Sequence, residues 1–434
     1  MNVAVAKTGK GRAVSDLFTS AEGRLPGSPS VIATRREAFE TYERLGLPHR
    51  RIEEWKYTDL RALVGEVLPL AAAPDAAALK RAAEAVKTHA FEGARKLVLV
   101  DGVFAAELSD VKALASEVSL KTLRETLDRD AGLLTTASTD AVIALNAAMA
   151  TDGVVLSIAD GTQLSAPIQI IHIATAASAS SFTRSQVVIG KGARATIVES
   201  FVAAGAKAYQ VNDAVLMTVG DNADVAHIRL MDDAPDAVNI TSQFVTVGAN
   251  TKLNIFNMTT GAAVSRLQGF ITLAGEGSEL SANGVNLLQK TEHGDTTLVV
   301  DHAVPNCVSR EVFRAVIDDR AHSVFQGRII VRPDAQKTDG KMMIRALLLS
   351  DEAEADNKPE LEIFADEVSC GHGATAGALD ENLLFYLKAR GLPEKQAQAL
   401  LIQAFVGEAI EQIADDSLRE HVIGIAERWL ERRQ

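Results

Sequence analysis

The stretch GDNADVAHIRLMD, residues 220–232, places small or turn-forming residues ahead of a run in which apolar and polar side chains alternate. A period of two puts successive side chains on opposite faces of an extended chain, so the run reads as a half-buried strand. Its opening recurs along the chain. GKGAR at Gly190, GDNAD at Gly220, GANTK at Gly248 and GEGSE at Gly275 follow one another at 30, 28 and 27 positions, and TKLNIFNMT, residues 251–259, repeats the alternation. No amphipathic helix of useful length fits between these marks, which argues against helical crossovers. A two-sheet sandwich accommodates the alternation equally well. The steady return to a similar corner, about eight strands in four similar units, favours a coiled stack of the parallel β-helix kind.

Helical patterns flank this region. SVIATRREAFETYERLG, residues 30–46, sets Ile32, Arg36, Phe39 and Glu43 at three-to-four spacing and stops at Gly46, and PDAAALKRAAEAVKTHA, residues 74–90, opens on Pro74 and Asp75. In KLVLVDGVFAAEL, residues 96–108, two apolar runs surround Asp101-Gly102, a pair suited to a tight hairpin turn. After Ser369 the helical period returns. LDENLLFYLKARG carries Leu379, Leu383, Tyr386 and Leu387 on one face, with Asp380 as cap and Gly391 as stop. The next helix opens at Pro393 with Ala397, Leu400, Leu401, Ala404, Phe405 and Ile410 as its stripe, and SLREHVIGIAERWLERR ends the chain. Short connections predict antiparallel packing of these three helices. The expected organisation is mainly β: a helical region over 1–93, a β-helix core over 94–368 and a helical region over 369–434.

Composition bounds the function. The 434 residues are 47% apolar, enough for a sizeable core, and 57 acidic against 44 basic residues leave a net charge of −13. That balance disfavours nucleic acid and anionic membrane surfaces as partners. With no apolar run of about 18 residues and no leader-like opening, a cytoplasmic location is expected. Cys307 and Cys370, 63 positions apart, form neither a disulfide framework nor a CxxC zinc motif. No phosphate loop is recognisable in the glycine-containing stretches AGEGSEL and GKGAR, which lack the strand-to-helix context.

One short stretch carries metal-ligand chemistry. SCGHGATAG, residues 369–377, sets Cys370 and His372 two positions apart among small residues. In an extended chain both project to one side with Cα atoms about 6.5 to 7 Å apart. A thiolate with an imidazole suits zinc, copper or iron, but two ligands fall short of the usual four. His293, His302 and His322 have no ligand-like spacing and read as ordinary core or surface histidines. A buried free cysteine is also common packing material. Asp318, Asp319, Asp351 and Glu352 resemble the acidic pairs of β-helical polysaccharide hydrolases, the alternative function class, although acids in turns are usually just solvated.

KPELEIFADEVSCGHGATAGALDENLLFYLKARGL, residues 358–392, resembles the motif of the SufB/SufD family of iron-sulfur cluster assembly proteins. SVFQGRIIV, DAQKTDGKMMIRALLLSDEAEADNKP and, near the N-terminus, EEWKYTDL at residues 53–60 are similar to that family too. The one small departure is Glu367, where a second aspartate is usual. Within the family, EWKYT, the length and the scarcity of cysteines are like the SufD branch. The resemblance implies a right-handed parallel β-helix between helical ends and a non-catalytic scaffold, not an enzyme. It implies pairing with SufB through the β-helix and docking of the ATPase SufC on the C-terminal helices, around Glu381, Phe385, Tyr386, Lys388, Arg390 and Gln398. His372, with Cys370 beside it, would hold iron or a nascent cluster transiently at the SufB interface, with no cofactor held stably by the chain alone. A homodimer is an open arrangement for the isolated chain.

Overall fold

The computed structural model describes residues 9–114, 116–135 and 140–433. From Val154 the chain winds as a parallel β-solenoid with two long strands per turn. One sheet, here sheet A, stacks Val154–Ile158, Ser180–Ile189, Gln210–Val219, Val238–Val247, Val264–Leu273, His293–His302, His322–Val331 and Glu354–Ile363 in that order. Sheet B stacks Arg95–Val100, Ile168–Ala174, Arg194–Ala203, Asp224–Asp232, Lys252–Thr259, Glu279–Leu288, Val308–Ile317, Asp339–Leu348 and Ser369–Gly377. Neighbours within each stack pair in parallel without slippage, so a residue and its counterpart one turn on share a column. The space between the sheets is filled by inward positions such as Leu156, Ile170, Val187, Ile197, Val225, Ile255, Val300 and Ile329.

The repeated glycines sit where the chain turns from sheet A towards sheet B. Each donates its amide to the carbonyl of the preceding turn: Gly190 to Ile158, Gly220 to Ile189, Gly248 to Val219 and Gly275 to Val247. Close approach, not an unusual backbone angle, is what requires glycine here. A Cβ at Gly275 would stand 1.9 Å from the Ala249 amide nitrogen, and one at Gly190 would stand 2.5 Å from that of Asp160. Gly275→Ala is therefore expected to destabilise the chain by about 1–3 kcal/mol, read as a lower urea midpoint. In contrast, Gly407→Ala, in a helix where a Cβ meets open space, should be neutral or stabilising by up to about 1 kcal/mol. Equal effects of the two changes would refute the close-stacking account.

The flanks follow local signals. Pro29–Leu45 ends at Gly46 with φ 67°, and Ala76–His89 is capped by Asp75, whose Oδ1 accepts the Ala78 amide at 2.7 Å. Asp101 and Gly102, at φ 49° and 79°, turn Arg95–Val100 back onto Val103–Phe104. The expected 94–368 core is not continuous coil: between the first strand of sheet B and Val154, the described residues include Val118–Thr122, which pairs antiparallel with Val154–Ile158 at the end of sheet A, and a wholly buried helix, Ala141–Met149. EEWKYTDL is a clasp on the outer face of sheet A. Trp55 is buried, donates Nε1 to Asp140 Oδ2 at 2.7 Å and lies 3.8 Å from the buried Arg266 guanidinium, while Thr58 meets His293 at 2.9 Å.

At the other end, the helices Glu394–Ile410 and Asp416–Arg433 press Ile402, Val406, Ala409, Val422 and Trp429 onto sheet B, against Val198, Ile228, Phe256 and Val285. The buried stripe is only in part the one expected: Ala397 and Ile410 are buried, the other expected positions are not. Leu400 and Ala404 are exposed, and the helix Glu381–Ala389 buries none of its residues, leaving Leu383 and Tyr386 in the open. One face of helix must meet the sheet, so the second apolar stripe has nothing among the described residues to cover it. The boundary expected at 368/369 also moves. ELEIFADEV contains a corner, residues 364–368, and SCGHGATAG is a full strand, so the coil closes at Gly377 rather than before Ser369.

Candidate functional site at the open end of the coil

A solenoid must end, and its last turn leaves backbone groups that no further rung satisfies. Here the terminal strands are Glu354–Ile363 in sheet A and Ser369–Gly377 in sheet B, each paired on one side only. Long unpaired edges are templates for pairing with another chain. Apolar surface adds to this: Ile363 and Phe364, at the corner between the two edges, are 41% and 60% exposed.

Cys370 and His372 both lie on this edge strand, opposite Gly340 and Met342 respectively. The columns run Ser309–Gly340–Cys370 and Glu311–Met342–His372, so both side chains continue inward-facing columns at the point where the coil opens. They differ in surroundings. Cys370 is half-buried against the interior core, and burial raises its thiol pKa above the usual value, with Asp339 and Glu311 adding to the rise. His372 is exposed and, among the described residues, makes no side-chain hydrogen bond or ion pair. An imidazole with both nitrogens free on an exposed edge is available to a ligand or a metal held by something else.

None of the other histidines considered from the sequence joins this pair. His293 is held by Thr58, His302 Nε2 is hydrogen-bonded to Ser309 Oγ at 3.0 Å, and His322 meets Asp356 at 2.8 Å. The turn acids are structural or solvated: Asp318 is paired with Arg433, Asp319 accepts the Lys290 amide at 2.9 Å, and Asp351 and Glu352 are exposed. Sequence reading missed Glu311, a carboxyl buried inside the coil two rungs below His372. Neither of its oxygens has a hydrogen-bond partner, and burial pushes its pKa up to about 8. The available signal was an acid on the inward face of VSREVFRAVI, in phase with Ser309 and Phe313.

The helical residues expected to dock a partner form a surface. Glu381, Phe385, Tyr386, Lys388 and Arg390 are exposed, with Phe385 at 73%, while Gln398 is half-buried. Arg390 lies over the Tyr386 ring at 5.0 Å and Lys388 pairs with Glu394 at 2.8 Å. Beside them Leu383, Leu401 and Phe405 line an open groove of about 430 Å³ with Ala346, Thr375 and Gly377 of the last turns. The edge strand and the helical patch are therefore contiguous.

The chain is a parallel β-solenoid with an unpaired end, an exposed imidazole on that edge and an exposed apolar helical patch beside it. Residues 172–405 match the model of the SUF system FeS cluster assembly SufBD core domain, and residues 12–170 match the SufBD protein N-terminal region. The chain belongs to the SufBD family of iron-sulfur cluster assembly proteins, on its SufD side. It is 30% identical to the iron-sulfur cluster assembly protein SufD of Escherichia coli over 88% of each chain. A SufBD family protein of Synechocystis is 30% identical over 90% of this chain and 89% of its own, and SufD of Bacillus subtilis is 26% identical over 66% of each.

Proposed function

We propose that this chain is half of a cluster-assembly scaffold, pairing end to end with a SufB-type partner and binding a SufC-type ATPase on its C-terminal helices. The observation that carries this is the pair of open edges, Glu354–Ile363 and Ser369–Gly377, with His372 free on one of them. Strand addition supplies main-chain hydrogen bonds, and Ile363 and Phe364 supply apolar contact at the join. His372, with Cys370 beside it, then contributes part of a ligand set that the partner completes. Iron or a nascent cluster is cargo in transit and not a resident cofactor. The chain performs no covalent chemistry in this reading; nucleotide-driven movement of the ATPase opens and closes the shared site, which requires the two arrangements to differ in their contacts. No helix among the described residues is long and apolar enough to cross a membrane, and a cytoplasmic scaffold fits two free thiols.

Two surfaces mean two separable losses. With SufB and SufC co-expressed, Phe364→Lys together with Ile363→Lys should remove SufB from the purified complex, because charge on an open edge opposes strand addition. Phe385→Asp with Tyr386→Asp should remove SufC and leave SufB bound. Loss of both partners from either variant, at unchanged thermal stability, would show the surfaces to be misassigned. Without SufB the same edge is free to pair with a second copy, which sedimentation of the isolated chain would reveal as a dimer.

A further inference from the structure

Far from the open end, three ligand atoms converge inside the first turns of the coil. His172 of Ile168–Ala174, Glu199 of Arg194–Ala203 and Asp213 of Gln210–Val219 all point between the sheets, and one donor atom from each lies within 4.8 Å of the other two. All three side chains are buried, at 7%, 1% and 0% exposure. His172 Nε2, Glu199 Oε1 and Asp213 Oδ2 have no hydrogen-bond partner. His172 Nε2 stands 4.0 Å from Glu199 Oε1, too far for a hydrogen bond between them.

The second atom of each carboxylate is held. Glu199 Oε2 meets His227 Nε2 at 2.8 Å, and Asp213 Oδ1 accepts the Thr183 hydroxyl at 2.5 Å. The His172 ring is stacked on Phe201, centroids 4.2 Å apart. Outer partners thus fix each group while leaving one atom bare, which is how the supporting shell of a metal site orients its ligands. Arg229, buried nearby, does not neutralise these acids by contact. It lies over Phe201 at 4.4 Å and gives its terminal nitrogens to Met231 Sδ, Thr241 Oγ1 and Asn239 Oδ1. Glu199 has the His227 imidazole on its outer oxygen, but no cation touches Asp213 or the bare oxygen of Glu199, and a buried carboxylate left this way is costly.

We infer that this interior cluster binds one divalent first-row metal ion through His172 Nε2, Glu199 Oε1 and Asp213 Oδ2, pinning three strands from both sheets. One imidazole and two carboxylates are a nitrogen and oxygen set that suits zinc or ferrous iron, with distances of about 2.0–2.2 Å reached by small movements of the bare atoms. The burial means that the ion enters during folding. This inference is independent of the role given to the open end.

The test uses the full chain carrying His372→Ala and Cys370→Ala, so that the open end binds nothing. Refolded anaerobically with zinc alone or with ferrous iron alone and then dialysed against chelator, it should retain about one equivalent of the preferred ion. X-ray absorption should show nitrogen and oxygen neighbours only. The thermal midpoint should exceed that of the chain refolded without metal, and His172→Gln or Asp213→Asn should each lower retention at least about tenfold. If those variants do not fold, the absorption spectrum and the midpoint comparison decide. Retention below about a tenth of an equivalent of either ion by the folded chain, with equal midpoints, would overturn the inference in favour of a proton or water shared by the two acids.

Discussion

His372→Ala is expected to fold, to assemble with SufB and SufC, and to lower cluster formation in cells by about 10- to 100-fold, the scale at which losing a metal-site contact acts. Folding should survive because the side chain is exposed and bonded to nothing among the described residues. Cys370→Ala should be milder. Thiolate is the stronger ligand in bare chemistry, but Cys370 is half-buried with its pKa raised, which keeps it largely as the poorly ligating thiol. A cluster in transit must also leave, and a neutral imidazole is the more readily exchanged ligand. Enzyme activities that depend on clusters, measured in cells relying on this system, provide the readout. Full activity in His372→Ala would end the shared-ligand reading and leave the strand as a docking edge alone.

Glu311→Gln should make the isolated chain more stable at pH 8 than the wild type, while the two are nearly equal near pH 4. In the unfolded chain the carboxyl ionises near its ordinary value of 4.5; in the folded chain burial holds it neutral up to about 8. Between these values the folded state keeps a proton that the unfolded state has released, so this group's contribution to wild-type stability falls as pH rises. The slope is about 1.4 kcal/mol per pH unit, which bounds the difference at about 5 kcal/mol. Urea midpoints of both proteins across pH 4–8 measure it, and parallel curves would show that Glu311 has a partner or water that neutralises the cost.

Asp101-Gly102, Gly46, Asp75 and Asp380 marked their turn, stop and caps because those features depend on residues within a few positions. The second C-terminal helix was found, but only Ala397 and Ile410 of its expected stripe are buried, because apolar residues occur on more than one of its faces and the docked sheet selects Ile402, Val406 and Ala409 as well. SCGHGATAG was read as lying past the last strand. It has few of the bulky residues that signal a strand, and it is one because Asp339–Leu348 offers it an edge.

The sequence by itself determined the rungs, their corners and the family. Period-two alternation is a local property, and a small residue must recur wherever successive turns approach within a van der Waals contact, as at Gly190, Gly220, Gly248 and Gly275. Tertiary structure alone decided which polar groups meet. Trp55 reaches Asp140 and Arg266, Glu199 comes between His172 and His227, and Glu311 lies beneath His372 only because parallel stacking brings residues about 30 positions apart into one column and folds the N-terminal clasp across it. Those encounters depend on register and on which face of a rung is enclosed, quantities set by the packing of whole turns and carried by no short stretch of chain.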